Sequence, residues 1–131
     1  MAALDSNVVI RLLAGDDLRQ AKAAENLVAS ELCTVSLSVL MECEWVLRAC
    51  YSLPAITIER SFRDFLALEN IGAFEAVLAQ RVLDAYAKGI DFADALHAAQ
   101  CPDKERFVTF DKPFARRAGK AGLHGVGLLK T

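Results

Sequence analysis

A chain of 131 residues has room for one sizeable core and too little for two ordinary domains. Hydrophobic residues make up 54% of it and the mean hydropathy is +0.28, so the core has few polar interruptions or apolar surface is reserved for a partner. The net charge of −2 does not by itself point to nucleic acid, no apolar run approaches the ~20 residues that span a bilayer, and Met1–Asp5 lacks the pattern of a signal peptide.

In chain order, Ala2–Leu4 reads as a short strand ending at Asp5, and Ser6–Leu13 as a helix with Val9, Leu12 and Leu13 on one face. Gly15, Asp16 and Asp17 break the pattern before an Ala-rich helix over Leu18–Ser30. Cys33–Leu37 is β-prone and predicts a second strand. Ser38 is placed to cap a helix over Val39–Tyr51, with Val39, Leu40, Val46 and Leu47 on its apolar face. After the turn at Pro54, Thr57–Leu68 fits an amphipathic helix with Ile58, Phe62, Phe65 and Leu66 at core spacing. Asn70–Phe74 is a short strand, Glu75–Lys88 a helix ended by Gly89, and Asp91–Gln100 a helix stopped near Pro102. Arg106–Phe110 contains four consecutive β-formers and ends at Asp111; Lys112–Lys120 is a basic helix and Val126–Leu129 a last strand. Strands alternating with helices, without repeats or linkers, predict a single α/β domain over residues 1–131 with a parallel sheet.

Four cysteines, at 33, 43, 50 and 101, form no CxxC pair, and two histidines are too few for a zinc constellation; buried thiols in a reducing compartment are expected. Charge is unevenly placed: residues 104–131 hold seven Lys/Arg against two acids, +5, and the remainder is −7.

The acids carry the chemistry. Asp5 and Asp111 end predicted strands, and ligands of open α/β sheets sit beyond the carboxyl ends of the strands. Glu42 and Asp94 lie inside helical stretches among apolar neighbours, Leu40, Met41 and Cys43 for the first and Phe92, Ala93, Ala95 and Leu96 for the second. Unpaired charge in such company is expensive. Carboxylates brought to one pocket repel, and a hard divalent cation such as Mg2+ or Mn2+ removes the conflict. Each acid also has a structural alternative: Asp5, Asp91 and Asp111 can cap the helices that follow them, and Glu42 or Glu44 can pair with Arg48 across a turn.

Four segments resemble the PIN-domain family. Asp5-Ser6-Asn7 with Val8, Val9, Ile10 and Arg11 resembles its opening motif, and Ser38 to Arg48 around Glu42 its second. Asp91-Phe-Ala-Asp94-Ala-Leu-His97-Ala-Ala99 is similar to the third, and Thr109-Phe-Asp111-Lys-Pro-Phe-Ala115 to the fourth. Within the family the likeness is greatest to VapC-type toxins. The resemblance implies a three-layer α/β/α sandwich with a central parallel sheet, and metal ligands at Asp5, Glu42, Asp94 and Asp111 with Asp91 auxiliary. It further implies Mg2+ or Mn2+, an RNA substrate, a homodimer and a VapB-like antitoxin, while the lack of a spanning apolar run and of a signal pattern makes a cytoplasmic location the expectation. Asn7 and Ser36 are candidate polar supports, and Arg11, Lys112, Arg116 and Arg117 candidate contacts to the RNA backbone. His97, three residues after Asp94, is expected to be packed or partly exposed and not a ligand.

Two other readings share parts of this pattern. A phosphoacceptor receiver domain needs an Asp ending a middle strand, and the only Asp between residues 18 and 83 is Asp64, inside a helical run. A PIN-domain scaffold in a DNA-associated complex stays open, because a fold does not dictate activity.

Overall fold

Every residue from Met1 to Thr131 is described in the computed structural model, and contacts divide the chain into two units, Met1–Ala76 and Val77–Thr131.

The first unit runs β1 (Ala2–Ala3), α1 (Ser6–Ala14), α2 (Leu18–Ser30), β2 (Cys33–Val35), α3 (Leu37–Ala49), α4 (Ala55–Leu66) and β3 (Ile71–Ala73). Its strands pair in the order β1-β2-β3, all parallel, with Ala2 opposite Cys33 and Cys33 opposite Ile71. Parallel neighbours require a long crossover, and here helices supply it: α1 and α2 between β1 and β2, α3 and α4 between β2 and β3. Cys33 and Val35 on β2 are buried with Leu37, Leu40, Cys43 and Leu47 on α3 and Ile58, Phe62 and Phe65 on α4. Asp17 caps α2 by accepting from the Gln20 N–H at 3.0 Å. Gly15 closes α1 in the left-handed region at φ 66°, where a side chain would be strained.

The second unit contains α5 (Ala76–Ala87, whose first residue belongs to the other unit), α6 (Phe92–Ala99), β4 (Phe107–Thr109), α7 (Lys112–Ala118) and β5 (Val126–Leu128). β4 and β5 are parallel, Phe107 opposite Val126 and Thr109 opposite Leu128, with α7 as the crossover. Val82, Leu83 and Tyr86 of α5 are buried, as are Phe92 and Leu96 of α6, and Tyr86 meets Phe92 edge to face with centroids 5.4 Å apart.

The expected class, α/β with parallel strands and helical crossovers, is the one observed. Differences are local. The α3 cap is Ser36, accepting from the Val39 N–H at 3.2 Å, so the helix starts two residues before the expected Val39. Ser38 instead shares a hydrogen bond with the Ser36 hydroxyl. Every strand is shorter than expected by one or two residues; β4 stops at Thr109 and leaves Phe110 outside it. The thiols divide: Cys33 and Cys43 are buried, Cys101 is half-buried, and Cys50 is exposed against expectation. Trp45, on the outer side of α3, is 56% exposed. No helix is long and apolar enough to cross a membrane.

Candidate functional site

In the first unit Asp5 stands just beyond β1 and serves as N-cap of α1, its Oδ1 accepting from the Ser6 N–H at 2.8 Å. It is exposed, and its second oxygen is not used by the cap. Glu42 lies on α3 and is also exposed, which corrects the inference of burial from its apolar neighbours. The adjacent residue Cys43 is fully buried and its thiol donates to the Ser6 carbonyl at 3.7 Å, tying α3 to the start of α1. Burial first, then the negative charges of Glu42 and Asp5, push this thiol up to about 12. One cysteine thus feels both carboxylates, which locates them on neighbouring parts of α1 and α3. Glu44, not Glu42, takes Arg48: the pair closes at 2.9 Å across one turn, with Glu44 buried.

Asn7 and Arg11 line a groove of about 300 Å³ with Gln20, Ala24 and Leu27 of α2. Arg11 is held there by Gln20 Oε1 at 2.7 Å and Asp16 Oδ1 at 3.2 Å. Asp16 also accepts from the Tyr51 hydroxyl at 2.8 Å, and this bond foremost holds its carboxyl below the usual range. That network of Arg11, Asp16, Gln20 and Tyr51 was not foreseen from the sequence, because Arg11 alone belongs to a motif and its partners lie elsewhere along the chain. Ser36, the α3 cap, is a structural support at the end of β2.

In the second unit Asp111 follows β4 and caps α7, its Oδ1 accepting from the Phe114 N–H at 3.0 Å. Its own N–H donates to Thr109 Oγ1 at 3.0 Å, so the turn between strand and helix is fastened twice. Asp91 caps α6 as its structural alternative held, accepting from the Asp94 N–H at 3.2 Å. Asp94, in the first turn of α6, is half-buried. Burial, then the charges of Asp91 and Asp111, raise its carboxyl above the usual 3.8, and the nearby His97 offsets part of the rise. His97 itself is exposed. Lys112 and Arg116 are exposed on α7, and Arg117 donates to the Gly89 carbonyl at 3.1 Å.

No three His, Cys, Asp or Glu side chains converge closely enough to hold a metal ion. Asp5, Asp91 and Asp111 each turn one oxygen to a helix N–H. The donor chemistry nevertheless fits: the available groups are carboxylates, the hard oxygen ligands of Mg2+ or Mn2+, with no thiolate or imidazole set that would favour zinc.

Asp5 in the first unit and Asp111 in the second each follow a short parallel strand and cap the next helix, the strand-end placement at which open α/β folds bind ligands. The chain belongs to the PIN domain family, whose sequence model matches residues 2–120. PIN domains are typically metal-dependent nucleases, and those nucleases typically use Mg2+. No curated protein and no solved structure gives a significant match.

Proposed function

We propose that the protein is an endoribonuclease hydrolysing RNA phosphodiester bonds with Mg2+ or Mn2+, and that it is the toxin of a toxin–antitoxin pair. The observation that carries the nuclease reading is the match of the PIN domain family to residues 2–120, beside which Asp91 accepts from the Asp94 N–H at 3.2 Å and burial, then the charges of Asp91 and Asp111, oppose the ionisation of Asp94. Asp94 thus stands within electrostatic reach of two further acids, a setting that supports the binding of a cation. The ligands in this reading are Asp5, Glu42, Asp94 and Asp111, with Asp91 acting through water. When bound, the cation supplies an acidified water and neutralises charge on the phosphate being cleaved.

The chain's own residues do the rest. The capping hydrogen bonds of Asp5 and Asp111 fix each carboxylate against its helix while leaving one oxygen for another partner. Lys112 and Arg116 draw in the RNA backbone. The resemblance of the four motifs to VapC-type toxins supports the finer role, with a homodimer held inactive by a VapB-like antitoxin.

The test is cleavage of single-stranded RNA by the purified protein with Mg2+ or Mn2+, and its loss on chelation. Cutting that survives EDTA, in a preparation free of other ribonucleases, overturns the metal. RNA bound but left whole in saturating metal supports the scaffold alternative instead.

A further inference from the structure

Phe110 is the residue immediately before Asp111, and it is 64% exposed. Side chains alternate along this stretch. Phe107 turns inward and meets Phe114 edge to face, centroids 6.4 Å apart. Thr109 is half-buried and accepts from the Asp111 N–H, whereas Val108 and Phe110 point outward. Alternation accounts for the direction of Phe110 but not for its size. A ring left in water forgoes the stabilisation that burying it would contribute. Its backbone is also well anchored, since the hydrogen bonds from Asp111 N–H to Thr109 and from Phe114 N–H to Asp111 clamp the turn on both sides. Lys112 and Arg116 are exposed on the helix that follows. One short segment therefore presents a flat apolar ring, a carboxylate and two cations.

Single-stranded nucleic acid is gripped by this combination, with cations on the phosphates and aromatic rings against the bases. We propose that Phe110 is a base-stacking platform, on which a base of single-stranded RNA lies while Lys112 and Arg116 hold the adjoining backbone. The inference rests on the nuclease reading above and adds which part of the substrate is held, and by what. Stacking uses the face that every base has, so this contact tolerates any base and excludes one still paired in a duplex.

Steady-state cleavage of a labelled single-stranded RNA in saturating Mg2+ tests it, using the full chain and the variants Phe110→Ala, Phe110→Leu, Phe110→Tyr and Phe74→Ala. Phe110→Ala raises KM at least about fivefold, the loss expected for one stacked base, and leaves the melting temperature unchanged. Phe110→Leu shows the same loss because it keeps bulk without a ring, and Phe110→Tyr restores KM. Phe74 is 67% exposed but lies beside Glu75, away from α7 in sequence, and its removal leaves KM as in the wild type. A wild-type KM for Phe110→Ala overturns the proposal, as does recovery by Phe110→Leu or an equal loss for Phe74→Ala. Wild-type protein that leaves RNA intact overturns the nuclease reading itself, and this inference with it.

Discussion

Asp94 carries a cost in folding, and that cost makes its proposed role as a ligand measurable. Its carboxyl is raised above 3.8 by burial and by Asp91 and Asp111, so ionising it costs more in the folded chain than in the unfolded one. A raised acid binds more protons folded than unfolded between its two pKa values, and stability therefore falls as pH rises through that window. Asp94→Asn removes the penalty at neutral pH. The variant without metal is expected to melt at or slightly above the wild-type temperature at pH 7, and the gap closes as pH falls towards 3.8. Its RNA cleavage in saturating Mg2+ should drop steeply, since one lost charge weakens cation binding and positioning. Early melting with undiminished cleavage would make Asp94 a structural residue.

The neighbouring acids teach a different lesson about what residues disclose. The caps made by Asp5, Asp91 and Asp111 were legible as the structural alternative for each, and the ligand roles proposed for them do not compete with the caps because a carboxylate has two oxygens. The burial of Glu42 was misjudged because sequence neighbours are not spatial neighbours on a helix. Leu40 and Cys43 face the core while Glu42, between them, faces out. Phe110 was read only as a strand former, since nothing in residue type distinguishes a ring that enters the core from one that does not.

At the scale of elements, the order of strands and helices was legible because each helix has a long apolar period and a polar or glycine stop. Ends were less so. The start of α3 depended on which of two serines caps it, and either could have. The choice has a measurable consequence. Ser36→Ala removes the acceptor for the Val39 N–H and should cost about 1 kcal/mol in chemical denaturation. Ser38→Ala, at an exposed hydroxyl bonded only to Ser36, should stay within about 0.5 kcal/mol of the wild type. Reversed sizes would return the cap to Ser38. Strand lengths were overestimated for a related reason: β-propensity marks residues that tolerate extension, but a strand ends where its partner does. β2 has only Ile71–Ala73 to pair with on one side and Ala2–Ala3 on the other.

For the molecule as a whole, the sequence indicated parallel pairing but not which strands are neighbours, because pairing order depends on contacts far apart along the chain. It did show the uneven charge, and the two units divide it. Met1–Ala76 carries six Lys/Arg against eleven acids, and Val77–Thr131 nine against six, leaving −5 and +3. The second unit falls below the ~60 residues at which an isolated domain is already marginal, and its two strands alone would be weaker still. One cooperative unfolding transition is therefore expected for the whole chain.

Trp45 makes that expectation observable. It is the chain's one tryptophan, and it stands half in solvent on α3, inside the first unit. Its fluorescence is consequently an optical label for that unit alone, whereas far-ultraviolet circular dichroism follows the helices of both. Superimposable denaturation curves from the two signals would mean that the halves melt together. A tryptophan transition displaced from the dichroism would mean that each half keeps its own stability, and that an RNA- or partner-induced blue shift at Trp45 reports events in the first unit only.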